Sequence, residues 1–130
     1  MTPDDEVLRW CDLVRQTCFE IHVYFGPGFL EKVYQKALAH RLVKAGFRVA
    51  EQAPVAVRDQ DGVVLGEYFA DLLVNECLIV EIKTCKSLQD EHVAQIFGYL
   101  RATGMRHGLL VNFGAAKLQI RKFIVNPHPS

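Results

Sequence analysis

The sequence predicts an α/β domain in which helices flank both faces of a mixed central sheet. Before Gly46, apolar residues recur at the three- and four-residue spacing of amphipathic helices. From Phe47 onward they fall into short strand-like runs, and a third helical pattern interrupts these runs after Lys83. The resulting order is two helices, three strands, one helix and two strands, which favours a mixed sheet with strand 78–83 near its centre.

The first helix is predicted over residues 1–25. Thr2, Pro3 and the acids after them have the order of a capping hydroxyl, a first-turn proline and charges that favour a helix N-terminus. Gly26-Pro27-Gly28 ends this helix. A second amphipathic helix then runs to Gly46, which is a natural C-terminal stop.

Five strands are expected after the second helix, with the last one at an edge of the sheet. They are predicted at 49–57, 63–74, 78–83, 107–113 and 117–125. The third helix is expected to begin with Ser87-Leu88-Gln89-Asp90, which resembles a capping box with Asp in place of Glu, and to end near Gly104. Residues 126–130 are predicted to form a loose tail of one domain that spans 1–130.

Composition argues against several classes of protein. Lys and Arg together number 15, as do Asp and Glu, so the formal net charge is zero and no global basic field is expected. No apolar run approaches the roughly 20 residues that a membrane helix needs. The acidic N-terminus lacks the positive region of a secretory signal. None of the four cysteines forms a Cys-x-x-Cys pair, so a structural zinc site is not expected. We expect a cytoplasmic protein whose cysteines are reduced.

Three charged residues stand inside otherwise apolar strand sequences. Glu81 and Lys83 are two residues apart in one strand, so their side chains project from the same face. Asp71 interrupts the preceding apolar run. A buried carboxylate is costly unless it is paired or binds a metal, and carboxylates are ligands that Mg²⁺ and Mn²⁺ prefer. The residues alone leave two interpretations open: a metal site on Asp71 and Glu81, or a structural ion pair between Glu81 and Lys83.

Four sequence motifs occur in a fixed order around these charged residues. They are Gly28-x-x-Glu31-x-x-Tyr34, Asp71 followed by Glu81-x-Lys83, Gln95-x-x-x-Tyr99, and Asn112-Phe113-Gly114. In this combination the chain resembles the GxxExxY family of small bacterial proteins, which is placed within the PD-(D/E)xK nuclease superfamily. The resemblance runs from about Ile21 to Ile124, which is nearly the whole chain.

The resemblance implies a restriction-endonuclease-like core and a metal-dependent nuclease that acts on DNA or RNA, with DNA expected ahead of RNA. Asp71 matches the metal-binding acid, and Glu81 and Lys83 match the Glu-x-Lys pair. Glu31 matches the acid on the first core helix. Gln95 matches the polar residue on the helix after the pair, where it would position the attacking water or a phosphate oxygen.

The implied cofactor is Mg²⁺ or Mn²⁺. Its ligands would be the carboxylates of Asp71 and Glu81 and the backbone carbonyl of Ile82. Glu31 would reach this ion through water or hold a second one. Lys83 would orient the attacking water or steady the developing negative charge.

Two positions depart from the family pattern. Phe69 stands where members often carry an arginine, and Ala70 replaces the proline that names the superfamily. The first change is expected to weaken phosphate contact. The second does not by itself argue against activity, because that proline varies widely in such proteins. Small size and zero net charge keep an alternative open: a non-catalytic module that retains the nuclease fold and binds nucleic acid or a protein partner. Many compact nucleases of this architecture act as homodimers, and nothing in the sequence marks an interface.

Overall fold

Across residues 3–126, which are the residues that the structure describes, the computed structural model contains three helices and five strands. They are α1 (Pro3–Phe25), α2 (Glu31–Lys44), β1 (Val49–Arg58), β2 (Val64–Val74), β3 (Leu78–Lys83), α3 (Asp90–Thr103), β4 (His107–Asn112) and β5 (Gln119–Ile124). None of these helices is both long enough and apolar enough to cross a membrane. The predicted cap at Thr2 and the tail residues 127–130 lie outside the described residues.

The strands form one mixed sheet in the order β1-β2-β3-β4-β5. Neighbouring strands are antiparallel except for β3 and β4, which run parallel. A parallel pair needs a long crossover connection, and α3 supplies it. The predicted mixed α/β architecture is therefore confirmed, with Glu81 on the central strand and the last strand at an edge.

Helices cover both faces of the sheet, as the sequence predicted. α1 and α2 pack on one face, where Val80 and Ile82 of the central strand are fully buried. α3 packs on the other face, against Ile79. Because side chains alternate along a strand, Glu81 and Lys83 share the face that α3 covers.

The apolar face predicted for α1 is the face that the structure buries. Val7, Cys11, Val14, Cys18 and Ile21 recur every three or four residues, and each is buried in the larger core cluster. Both cysteines in this group are free. The spacing of apolar residues therefore identified the inward side of this helix correctly.

The capping box predicted at Ser87 is wrong. The N-cap of α3 is Gln89, whose backbone amide donates to His92 Nδ1 at 3.0 Å and whose backbone carbonyl accepts from the His92 amide at 3.0 Å. The physical reason lies in the contacts between Gln89 and His92, which satisfy polar groups of the first turn and begin the helix two residues after Ser87. The Leu88 amide, which precedes the helix, donates to Gln119 Oε1 of β5 at 3.1 Å.

The segment that follows β4 fixes the end of β3, where Lys83 lies. The buried Asn112 side chain accepts hydrogen bonds from the amides of Cys85 and Gly114, at 3.0 and 2.9 Å, and donates to the Cys85 carbonyl at 2.9 Å. The Phe113 amide donates to the Lys83 carbonyl at 2.9 Å. The Asn-Phe-Gly motif therefore has a structural role, because it holds the chain after Lys83 in one position.

Gly114→Ala is expected to destabilise the fold by about 1–3 kcal/mol. A Cβ at this position would lie 2.5 Å from backbone atoms of Thr84 and Cys85, which cannot move aside as a flexible side chain would. Chemical denaturation measures the free energy of unfolding. Gly98→Ala is the matched control, because a Cβ there meets nothing within 4 Å and alanine stabilises a helix by about 0.5–1 kcal/mol relative to glycine. Equal stability of the two variants would contradict this account of Gly114.

Candidate active site

Strands β2 and β3 separate at the point where the two predicted acids lie. Their ladder pairs Leu72 with Val80 and does not continue toward the acids. Beyond that pair, side chains replace the backbone pairing. The Asp71 amide donates to Glu81 Oε1 at 2.9 Å, and the Ile82 amide donates to Asp71 Oδ2 at 2.7 Å. Each carboxylate thus accepts a backbone hydrogen bond from the neighbouring strand, which brings the two acids together.

Glu81 is a buried acid beside a second acid. The residue is only 3% exposed. Burial raises the pKa of Glu81 to about 8, and the Asp71 carboxylate adds to the increase, whereas the Asp71 amide and the Lys83 ammonium oppose it. Glu81 is therefore largely protonated at neutral pH when no cation is near. A bound cation would favour the ionised carboxylate, so the pair is suited to hold one.

A hydrogen bond between Lys83 and Gln95 forms the second contact of the site. Lys83 Nζ donates to Gln95 Oε1 at 2.7 Å and thereby joins the end of β3 to α3. Tyr99 lies one turn further along α3 and is buried. Burial raises the pKa of the Tyr99 hydroxyl, and the charges of Glu81 and Asp71 raise it further. The α3 face that carries Gln95 and Tyr99 therefore borders the acidic pair.

The loop before α2 is fastened by Tyr34, and α2 begins with Glu31. The Tyr34 hydroxyl donates to the Gly26 carbonyl at 2.5 Å and accepts from the Phe29 amide at 3.2 Å. Its ring stacks on Phe113, with 4.6 Å between the ring centroids. The glycine-to-tyrosine motif thus sets where the first residue of α2 lies.

Glu31 lies within electrostatic range of Asp71 and Lys83. The pKa of Glu31 is raised, chiefly by partial desolvation and also by the Asp71 carboxylate. The Lys83 ammonium and His92 oppose this increase. These influences require the groups to be near one another. No hydrogen bond or ion pair joins the Glu31 side chain to any other residue in the described range, so its carboxylate is bonded to neither acid of the pair.

A polar network that the sequence did not indicate reaches Asp71 from β1. Gln52 Nε2 donates to Asp71 Oδ1 at 3.3 Å and to Gln35 Oε1 at 2.7 Å. Gln35 Nε2 in turn donates to Glu51 Oε1 at 3.1 Å. Gln52 has a φ of 50°, a left-handed conformation that costs a residue of this type on the order of 1 kcal/mol. The one available signal was the position of Gln35, one helical turn after Glu31 on the same face of α2.

Within residues 3–126, no group of three or more His, Cys, Asp or Glu side chains is arranged to hold a metal ion. The structure joins Asp71 and Glu81 directly and brings Ile82 into contact with them through its amide. Glu31 is not part of a three-acid cluster with them. Two carboxylates and a backbone carbonyl are hard oxygen donors, and Mg²⁺ keeps several waters when few protein ligands are present. The donor chemistry therefore fits a largely hydrated divalent cation.

The fold and the site define a nuclease-type α/β domain, in which a central strand carries an acid and a lysine beside a second acid. The family model of the PD-(D/E)XK nuclease superfamily matches residues 9–123. The chain therefore belongs to the PD-(D/E)XK nuclease superfamily, whose members generally use divalent metals. The match does not distinguish the GxxExxY family from the rest of the superfamily. Comparison with curated proteins and with solved structures gives no significant match.

Glu81→Gln is expected to stabilise the metal-free protein at pH 8 by on the order of 3 kcal/mol. The pKa of Glu81 is about 8 in the folded protein and 4.5 in its ordinary environment, so the folded state binds more protons between these values. Wild-type stability should therefore fall as the pH rises through this range. Glutamine does not ionise and still accepts the Asp71 amide. Urea denaturation in EDTA measures the free energy of unfolding of the wild type and of the variant. The difference between the two free energies should be smaller at pH 5 than at pH 8.

Glu67→Gln is the matched control for this measurement. Glu67 is exposed on β2, and surface substitutions of this kind change stability by less than about 0.5 kcal/mol. If Glu81→Gln instead lost about 3–5 kcal/mol, Glu81 would be one half of a structural ion pair with Lys83. That result would contradict the cation-binding interpretation.

Proposed function

We propose that this chain is a metal-dependent nuclease of the GxxExxY family that hydrolyses phosphodiester bonds, in DNA ahead of RNA. The observation that supports this most is the reciprocal contact of Asp71 and Glu81 close to the Lys83–Gln95 hydrogen bond. An acidic pair that can hold a cation, next to an ammonium group, suits a reaction in which water attacks a phosphate anion. The role of Tyr34 in positioning α2 supports membership of the GxxExxY family, whose motif includes this tyrosine.

The reaction replaces one ester bond of the phosphodiester with a bond to a water oxygen. The water gives up a proton as its oxygen bonds to phosphorus, the bond from phosphorus to the leaving sugar oxygen breaks, and that oxygen takes up a proton. Negative charge grows on the leaving oxygen and the phosphoryl oxygens. A divalent cation, when bound, neutralises part of this charge. Asp71, Glu81 and the Ile82 carbonyl would hold it, with Glu31 reaching it through water.

Lys83 supplies positive charge from the chain itself. One of its three N–H donors bonds to Gln95, which leaves two donors for the attacking water or a phosphate oxygen. The bond to Gln95 also limits where the ammonium group can lie. Placing a preorganised charge at the reacting phosphate lowers the barrier, because little reorganisation is needed during the reaction.

A non-catalytic nuclease-fold module is the second candidate. One observation favours it: the described part of the chain does not gather three metal-ligating side chains at one point. Such a module would bind nucleic acid or a protein partner and would leave phosphodiester bonds intact. Cleavage by the purified protein separates the two candidates.

We also propose a cytoplasmic location and, for duplex substrates, a homodimer. All four cysteines are free, which suits a reducing compartment. A homodimer would place one active site at each strand of a duplex, so that both strands could be cut in one binding event.

Lys83→Ala is expected to reduce Mg²⁺- or Mn²⁺-dependent cleavage by at least about 100-fold, because a preorganised charge at the phosphate is lost. Cleavage of labelled single- and double-stranded oligonucleotides, with and without EDTA, gives the rates. Circular dichroism melting verifies that the variant is folded.

Lys44→Ala is the matched control, since Lys44 is exposed at the far end of α2 and should leave cleavage unchanged. Wild-type cleavage by purified Lys83→Ala would contradict the proposed mechanism. A wild-type protein that cleaves no substrate with either ion would favour the non-catalytic module.

A further inference from the structure

A groove lies beside the proposed active site, between the β1–β2 hairpin and α3. Its volume is about 540 Å³, and its lining includes Arg58 of β1, Tyr68 of β2, and Gln95, Tyr99 and Arg101 of α3. Gln95 also accepts the hydrogen bond from the catalytic-site lysine. The groove and the site therefore share Gln95 and lie next to each other.

The groove is positively charged, although the chain as a whole is neutral. Arg58 and Arg101 line it, and none of the residues that line it is acidic. Arg58 uses one donor on the Gly62 carbonyl at 3.2 Å. The Arg101 side chain makes no hydrogen bond or ion pair with any residue between positions 3 and 126. Both guanidinium groups thus keep donors that suit phosphate oxygens.

Two tyrosines give the groove flat aromatic walls. The rings of Tyr68 and Tyr99 lie 6.1 Å apart between centroids, tilted by 42°. Tyr99 is buried, whereas Tyr68 is 52% exposed and therefore partly open to solvent. Nucleic-acid bases stack on such rings when they are unpaired, because every base has a flat π face. In a duplex these faces are already stacked on one another.

We propose that this groove binds an unpaired stretch of nucleic acid and leads it to the active site. A base stacks on Tyr68, and the flanking phosphates bind Arg58 and Arg101. This inference rests on the proposed nuclease function and adds to it a preference for single-stranded substrate. The charge of the groove selects a polyanion, and the exposed ring selects a strand whose bases are free.

Metal-free binding of a short labelled oligothymidine, measured by fluorescence anisotropy in EDTA, tests the groove. Tyr68→Ala is expected to weaken binding roughly 5- to 100-fold, the range that loss of one stacked base corresponds to. Tyr68→Phe keeps the ring and should stay within about twofold of wild type. Arg101→Ala should also weaken binding and reduce the slope of log affinity against log salt by about 0.7, since one phosphate contact is lost.

Tyr24→Ala and Arg9→Ala are the matched controls. Both residues are exposed on α1, which packs on the opposite face of the sheet, and neither lines the groove. They should bind oligothymidine as wild type does. Thermal melting of all variants separates lost binding from lost folding.

The groove proposal is overturned if Tyr68→Ala and Arg101→Ala bind as wild type, if wild type binds no oligonucleotide, or if duplex DNA binds as tightly as the single strand. The same binding measurement is repeated with labelled oligouridine in place of oligothymidine. A loss in Tyr68→Ala with either polymer supports the groove, and the ratio of the two wild-type affinities tells DNA from RNA.

Binding and cleavage are separate readouts in this design. If Tyr68→Ala weakens binding but the wild-type protein cleaves no substrate, the binding role of the groove is supported and the proposed nuclease function is contradicted. If the wild-type protein cleaves with Mg²⁺ or Mn²⁺ and the groove variants bind normally, the nuclease function is supported and the binding role of the groove is contradicted.

Discussion

Burial of the Glu81 carboxylate next to that of Asp71 is the contact on which the rest of the site depends. Two acids in an apolar strand environment repel each other and lose hydration, which raises the pKa of Glu81 to about 8. The chain compensates by separating β2 from β3, so that the amides of Asp71 and Ile82 bond to carboxylates instead of to the opposing backbone. Among the described residues, no buried side-chain nitrogen or oxygen lacks a hydrogen-bond partner. The acidic pair is therefore satisfied without a cation and remains able to receive one.

Three structural devices hold other groups around this pair. Tyr34 fastens the loop before α2 and so places Glu31. The Asn112 side chain holds the chain that follows Lys83. The hydrogen bond from Lys83 to Gln95 connects the central strand to α3. Residues that are distant in sequence thus reach one region because each is fixed by its own local contact, and the superfamily match over residues 9–123 agrees with this arrangement.

The sequence predicted the parts of the structure that depend on local periodicity. Apolar spacing identified the helices and strands. Charges inside apolar runs drew attention to Asp71 and Glu81, because a buried charge needs a partner, and the structure brings these two side chains together. The sequence did not predict Gln52, because the left-handed backbone of this residue and its contact with Asp71 belong to the tertiary structure and leave no periodic signal in the sequence. It misplaced the cap of α3 at Ser87, because the contacts between Gln89 and His92 set where that helix begins. The arginines and tyrosines of the groove are likewise neighbours only in three dimensions.

A crystal structure of the protein soaked in millimolar Mn²⁺ shows whether the acidic pair binds a cation, because the anomalous scattering of manganese locates the ion. An anomalous peak is expected between the carboxylates of Asp71 and Glu81, with the Ile82 carbonyl as a further ligand, and no peak is expected in crystals of Asp71→Ala. A wild-type structure in which manganese binds elsewhere, or in which the acidic pair stays free of metal at the same concentration, would contradict the cation-binding interpretation.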